Sequence, residues 1–192
     1  MSNFKQLDYE TYNSYEEFKK LINTNQITFQ MHNQICINTT PEFPNDMSVG
    51  CGSLYYDWSK KEKISDSNGN FKITAPLRDV PLREEDFTIL NEQFKNTVFE
   101  NIYNKLQEKY ILGRVRIMMT KPNGCLSWHH DTSPRVHYPI KTQDGCFMVI
   151  EDEVKFLPAD SWWYTNTTKK HTAFNGSNEN RIHLVAVLLG DR

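Results

Sequence analysis

Between residues 127 and 137 the chain reads Ser-Trp-His-His-Asp-Thr-Ser-Pro-Arg-Val-His, placing three imidazoles, a carboxylate and a guanidinium in one short window. If the segment is extended, alternate side chains share a side, so His129 and Asp131 project together and His130 projects away. His171 follows forty residues after Asp131, and Arg181 comes ten residues later. Two neutral imidazoles and one ionised carboxylate leave three positions open on a divalent metal, the ligand set of non-haem iron that must hold several reactants at once. His129, Asp131 and His171 are therefore expected to share one iron. Arg181, with its planar bidentate fork, suits the far carboxylate of an organic acid bound to that iron. A ligand set centred on His130 is the rival register.

The elements that would position these groups change character near residue 110. In residues 1–110, Ser14 to Asn23 carries a Ser-x-x-Glu start and an apolar face of Phe18, Leu21 and Ile22, which predicts a short helix. Residues 26–38 alternate in part and predict one or two strands. Residues 50–58 are glycine-punctuated and aromatic, either a strand or a pocket-lining loop. Residues 59–70 are polar and turn-rich, the best candidate for a mobile loop. Phe87, Leu90, Phe94, Val98, Ile102 and Leu106 recur at helical spacing, so residues 84–109 are expected to be one helix stopped by Gly113.

From residue 114 the period becomes two. Strands are expected at 114–120, 135–141, 145–150, 153–157, 161–165, 171–175 and 181–189, separated by Gly, Asp and Asn turns. Many short strands at this spacing suggest a sandwich or barrel, and the 84–109 helix offers a cover for its apolar face. The expected fold is mainly β with flanking helices, a jelly-roll or cupin-like barrel. One domain over 1–192 is expected, with a helix-containing, substrate-side part at 1–110 and a jelly-roll core with the metal site at 111–190.

On Pro122, Trp128-His129-x-Asp131, Arg135-x-His137, Gly145-Cys146, Trp162-Trp163, His171, Asn175 and Arg181, the chain resembles the Fe(II)/2-oxoglutarate-dependent oxygenases. More narrowly, it resembles the aspartyl/asparaginyl β-hydroxylase family, which includes proline hydroxylases of similar build. The resemblance covers roughly residues 111–190. It implies a double-stranded β-helix with iron at its mouth, His129, Asp131 and His171 as metal ligands, and Arg181 on the distal carboxylate of 2-oxoglutarate. It also implies a cosubstrate-binding role for Arg135 and His137, which could otherwise form an ordinary cross-strand pair. Aspartyl β-hydroxylase itself lacks the acidic ligand, so Asp131 places the chain nearer the proline hydroxylase branch. The implied reaction is hydroxylation of an amino acid or peptidyl residue, consuming O2 and 2-oxoglutarate and releasing succinate and CO2. Nothing matched in residues 1–110 fixes the substrate.

Composition narrows the alternatives. The net charge is −2 and no basic stripe is evident, which argues against a nucleic-acid partner bound by phosphate neutralisation. No apolar run is long enough to span a membrane, and the start of the chain lacks the apolar stretch of a signal peptide. Four widely spaced cysteines read as reduced thiols, so a cytoplasmic protein is expected. A cupin-like isomerase or hydrolase could use the same metal ligands but would not need Arg181. A non-catalytic module that kept the fold would need none of the four. His183 shares a face with Arg181 and either orients the cosubstrate or simply faces inward. His32 is read as structural or surface. Trp162 and Trp163 are read as core and rim, as are Tyr55, Tyr56 and Trp58, with a pocket-lining role open for the latter three.

Overall fold

Three antiparallel strands whose alternate residues differ sharply in polarity organise the molecule. In Arg181–Asp191 the even positions Ile182, Leu184, Ala186 and Leu188 join the main apolar core, while Arg181, His183 and Val185 take the opposite face. The same split runs through Arg135–Lys141, with Val136, Tyr138 and Ile140 on the core side and Arg135 and His137 on the other. It also runs through Tyr110–Thr120, where Val115 and Ile117 oppose Arg116 and Met118. A pleated strand can satisfy two environments only in this way.

The computed structural model describes residues 2–65, 67 and 69–192. Its strands are, in chain order, β1 Phe4–Leu7, β2 Gln34–Cys36, β3 Asn38–Thr39, β4 Glu62–Ser65, β5 Phe71–Thr74, β6 Ile89–Leu90, β7 Tyr110–Thr120, β8 Gly124–Cys125, β9 Arg135–Lys141, β10 Cys146–Ile150, β11 Glu153–Lys155, β12 Trp162–Thr165, β13 His171–Asn175 and β14 Arg181–Asp191. The helices are α1 Ser14–Asn23 and α2 Val98–Gln107. A larger antiparallel sheet has the order β1-β12-β9-β14-β7-β2, and a smaller one the order β11-β10-β13-β8. This is a double-stranded β-helix, mainly β with flanking helices. Phe18 and Leu21 of α1 and Phe99, Ile102 and Leu106 of α2 cover the apolar face of the larger sheet. The opposite face looks toward the smaller sheet and carries the site. Among the described residues no helix is long and apolar enough to cross a membrane.

The strands expected at 135–141 and 171–175 have those bounds, and the other five lie within a few residues of expectation. α1 also lies where expected, but Ser14 does not cap it. Its hydroxyl instead donates to Asp160 Oδ1 at 2.6 Å. The long helix over 84–109 is not formed. Only residues 98–107 are helical, capped by Thr97, whose hydroxyl accepts from Phe99 N at 3.2 Å. Before it the chain makes two 3-10 turns and pairs β6 with β3, and Asn96 takes a left-handed φ of 57° that ends any helix there. Phe87 and Phe94 are buried, so the apolar spacing records burial and not a helical period. Gly113 is not a helix stop. It lies within β7, where a Cβ would come within 3.0 Å of Val187 Cγ1 and of the Glu84 side chain. Within 26–38 the chain forms strand only at β2 and at Asn38 of β3. Within 59–70, Glu62–Ser65 form β4 of the β4–β5 hairpin, with Asp66 and Asn68 outside the described residues.

One buried side chain joins these parts. Asn38 donates to the carbonyls of Phe87 (2.8 Å) and Gly113 (2.9 Å) and accepts from Val115 N (2.7 Å). Replacing it strands three buried backbone groups. Asn38→Ala is expected to lower unfolding free energy by roughly 3–5 kcal/mol, read as a shift in the urea midpoint at constant slope.

Candidate metal centre

The window 127–131 is held extended against the smaller sheet by backbone bonds. His129 N donates to His171 O (3.1 Å), His171 N donates to His129 O (2.9 Å), and Asp131 N donates to Thr167 O (2.9 Å). This pairing brings together the three residues that the sequence separates. Their candidate ligand atoms all lie within 4.8 Å of one another. Asp131 Oδ1 is 4.0 Å from His129 Nε2, and Asp131 Oδ2 is 3.6 Å from His171 Nε2. His130, on the other side of the segment, is exposed, with Nδ1 3.2 Å from Thr168 O, and takes no part in the cluster.

The donor set suits a divalent metal. His129 Nδ1 lies 2.6 Å from Ser127 O and His171 Nδ1 lies 2.9 Å from Lys169 O. A carbonyl oxygen can only accept, so each ring carries its proton on Nδ1 and leaves the Nε2 lone pair free. Burial above all lowers the pKa of His171, favouring its neutral, ligating form. Burial pushes the Asp131 carboxyl up. The Arg135 hydrogen bond and charge, with the two histidines, outweigh this and hold it below the ordinary carboxylate value. The chain therefore presents the Nε2 edges of two imidazoles, that of His171 favoured as neutral, and an ionised carboxylate.

These groups open into a cavity of about 500 Å³ that also takes in Arg116, Arg135, His137, Met148 and Arg181. Arg181 is 5% exposed, and its hydrogen-bond partner is His183 Nδ1, at 3.1 Å from Nη2. A guanidinium can only donate, so His183 must carry its proton on Nε2. Burial first, then the Arg181 charge, pushes the pKa of His137 down to about 3 and that of His183 well below its usual value. Burial brings Arg181 down to about 10, still charged at neutral pH. Arg135 sits less simply than expected. It lines the cavity, but its Nε donates to Asp131 Oδ2 at 3.0 Å, so it braces the acidic ligand, with Nη1 buried and unpaired.

Other residues fall where their chemistry sends them. Trp162 and Trp163 are buried and donate to Glu10 O and Ser161 Oγ, so they are packing residues. Asn175 holds the 175–179 turn and donates to Thr120 O. Sequence reasoning missed four cavity residues from the front half: His32, Asn33, Gln34 and Gly52. His32 is left-handed (φ 57°) with its ring edge-on to Trp58 at 4.8 Å. Gly52 has φ 66°, and a Cβ there would lie 2.4 Å from the His32 ring. It also missed Arg116, which the two-residue period of β7 could have assigned to the face bearing the site.

Two outcomes follow from this geometry. Arg135→Gln should weaken divalent-metal affinity about tenfold, because a residue that orients a ligand contributes on that scale; calorimetric titration with Mn(II) reads it. His137 and His183 are neutral when folded, whereas the unfolded chain takes up protons near pH 6.5. Stability should therefore fall as pH drops below that value, by about 1.4 kcal/mol per pH unit for each histidine. Urea unfolding between pH 7.5 and 5.5 should show a shallower fall in His137→Asn.

The family model for aspartyl/asparaginyl β-hydroxylases matches residues 84–189, more than half of the chain. Among solved structures, an oxidoreductase of the 2OG-Fe(II) oxygenase family from Burkholderia pseudomallei is 15% identical, with a TM-score of 0.44 over 66% of this chain and 71% of its own. The viral collagen prolyl hydroxylase of Paramecium Bursaria Chlorella virus-1 is 8% identical, with a TM-score of 0.44 over 97% of each chain. A cupin domain from Bordetella pertussis Tohama I is 16% identical, with a TM-score of 0.35 over 39% of this chain and 79% of its own. A search of the curated proteins returned no match. Because the matched span runs from Glu84 through the paired histidine segments and nearly all of β14, the chain belongs to the aspartyl/asparaginyl β-hydroxylase family.

Proposed function

We propose that this protein is a non-haem Fe(II)- and 2-oxoglutarate-dependent dioxygenase that hydroxylates an amino acid or peptidyl residue and releases succinate and CO2, its 192 residues forming one oxygenase domain. The observation that carries this reading is one cavity holding both a His129/Asp131/His171 cluster with free Nε2 lone pairs and a buried Arg181 with no carboxylate partner among the described residues. A cupin-like isomerase or hydrolase would have no use for that buried cation.

In this reading His129, Asp131 and His171 hold the iron. Iron held there would supply the oxidising power to attack an unactivated C–H bond. The chain does the rest. Arg181 receives the distal carboxylate of 2-oxoglutarate, and its charge is weakly screened because the side chain is buried. His183 fixes that guanidinium by accepting from it, yet as a neutral ring it leaves the charge for the cosubstrate. Arg135 keeps Asp131 ionised and oriented. His137, neutral and 7% exposed, with Met148 and Ala173 of the smaller sheet, narrows the cavity and limits water.

Anaerobic addition of Fe(II) and 2-oxoglutarate should give a weak visible charge-transfer band, as the family resemblance implies. Its absence with iron confirmed bound would sink the proposal. Arg181→Ala should weaken 2-oxoglutarate binding about a hundredfold, the scale of a lost charge-assisted bidentate pair, with little change in metal affinity. Equal loss of both would mean that Arg181 has another role.

A further inference from the structure

One buried cation in the cavity is left over. Resting on the assignment of Arg181 to the cosubstrate, the charged groups of the cavity wall are Arg116, Asp131, Arg135 and Arg181, three cations against one anion. Iron(II) would add two positive charges and 2-oxoglutarate would remove two, so the excess remains. Arg135 is paired with Asp131. Arg116, 8% exposed, is not paired with any carboxylate among the described residues: its Nη1 donates to the neutral Gln34 Oε1 at 3.0 Å, and its Nε is buried with no acceptor.

Arg114, two residues back on the same strand, shows how this fold satisfies a structural arginine. Its guanidinium takes both oxygens of Glu84, at 2.7–3.1 Å, and the carbonyls of Gly50 and Gly52, each at 2.8 Å. Arg116 has no such cage. A buried guanidinium held by one amide oxygen and aimed into a cavity is costly unless an anion joins it. Position separates it from the cosubstrate site. Arg116 lies opposite Val185 in the β7–β14 ladder and Arg181 lies opposite Thr120, four residues along, about 13 Å at strand rise. The two arginines therefore stand at separate places along the face. Arg181 stands at the far end of the face, while Arg116 is level with His137, which also pairs with Val185, beside the His32 and Gly52 wall.

We infer that Arg116, oriented by Gln34, is the anchor for the carboxylate of the substrate, and that the substrate is a free amino acid and not an internal residue of a polypeptide. An internal residue has no α-carboxylate to offer, and one without an acidic side chain would leave the buried Arg116 unpaired.

The test titrates the intact protein, with Mn(II) and 2-oxoglutarate present, against the standard free amino acids and their carboxamides by calorimetry. At least one free acid is expected to bind, and its carboxamide to bind about tenfold or more weaker. Arg116→Gln should remove that acid-over-amide preference, and Arg116→Lys should retain part of it. Unchanged Mn(II) affinity in both variants reports an intact fold, and if Arg116→Gln fails that control, Arg116→Lys decides. The inference is overturned if no free amino acid binds, if acid and amide bind alike, or if neither variant alters the preference. Arg181→Gln separates the two readings. If it leaves 2-oxoglutarate affinity intact, the cosubstrate assignment fails, and the acid-against-amide comparison made without 2-oxoglutarate still decides the role of Arg116.

Discussion

Everything at this site depends on three paired strands that keep one face apolar and the other chemical. β7, β9 and β14 are hydrogen-bonded in register, so Arg116, Val185 and His137 fall in one row across the sheet. A slip of one residue in any of them would turn its arginine or histidine into the helix-covered core and its leucine or isoleucine into the cavity. Burial of Ile117, Leu184 and Tyr138 under α1 and α2 thus fixes the register, and the register fixes where the cations stand. The smaller sheet adds the His129/Asp131/His171 cluster through the reciprocal His129–His171 backbone pair, so these candidate ligands are placed by main-chain geometry.

The electrostatic design of the cavity follows from the same burial. Cations that have a structural task are matched by carboxylates, as Arg114 is by Glu84. Of the cations that face the cavity, Arg135 is paired with Asp131, whereas Arg116 and Arg181 are steadied by neutral acceptors, Gln34 and His183. A neutral acceptor sets the direction of a guanidinium without cancelling its charge, which a carboxylate would do. The histidines around them stay unprotonated because desolvation and the neighbouring arginines both oppose a further positive charge. The result is a largely buried wall with an excess of positive charge, suited to anionic ligands.

The back half of the chain was legible because its pattern is local. Period-two alternation and turn residues located β9 and β13 at their observed bounds, and alternation across His129, His130 and Asp131 separated the residues that join the cluster from the one that does not. The front half misled where apolar spacing was produced by something other than a helix. Phe87, Leu90 and Phe94 fit a helical stripe, but Asn96 is left-handed and Asn38 draws the 87–91 segment toward β3 and β7. A stripe of apolar residues states that they are buried and does not state by which backbone.

The sequence by itself determined the chemistry available: a His-x-Asp pair, a later histidine, an arginine ten residues on, and the strands that carry most of them. Their order along the chain is enough because strand alternation is a property of neighbouring residues. Only the tertiary structure decided which other groups share the cavity. Gln34 meets Arg116 because β2 pairs with β7 across some eighty residues of chain, and His32 and Gly52 close the wall through loop conformations that glycine and left-handed residues permit. Arg135 turns to Asp131 for the same kind of reason. Such contacts are set by long-range register and by the competition among buried charges for partners, and no local spacing encodes either.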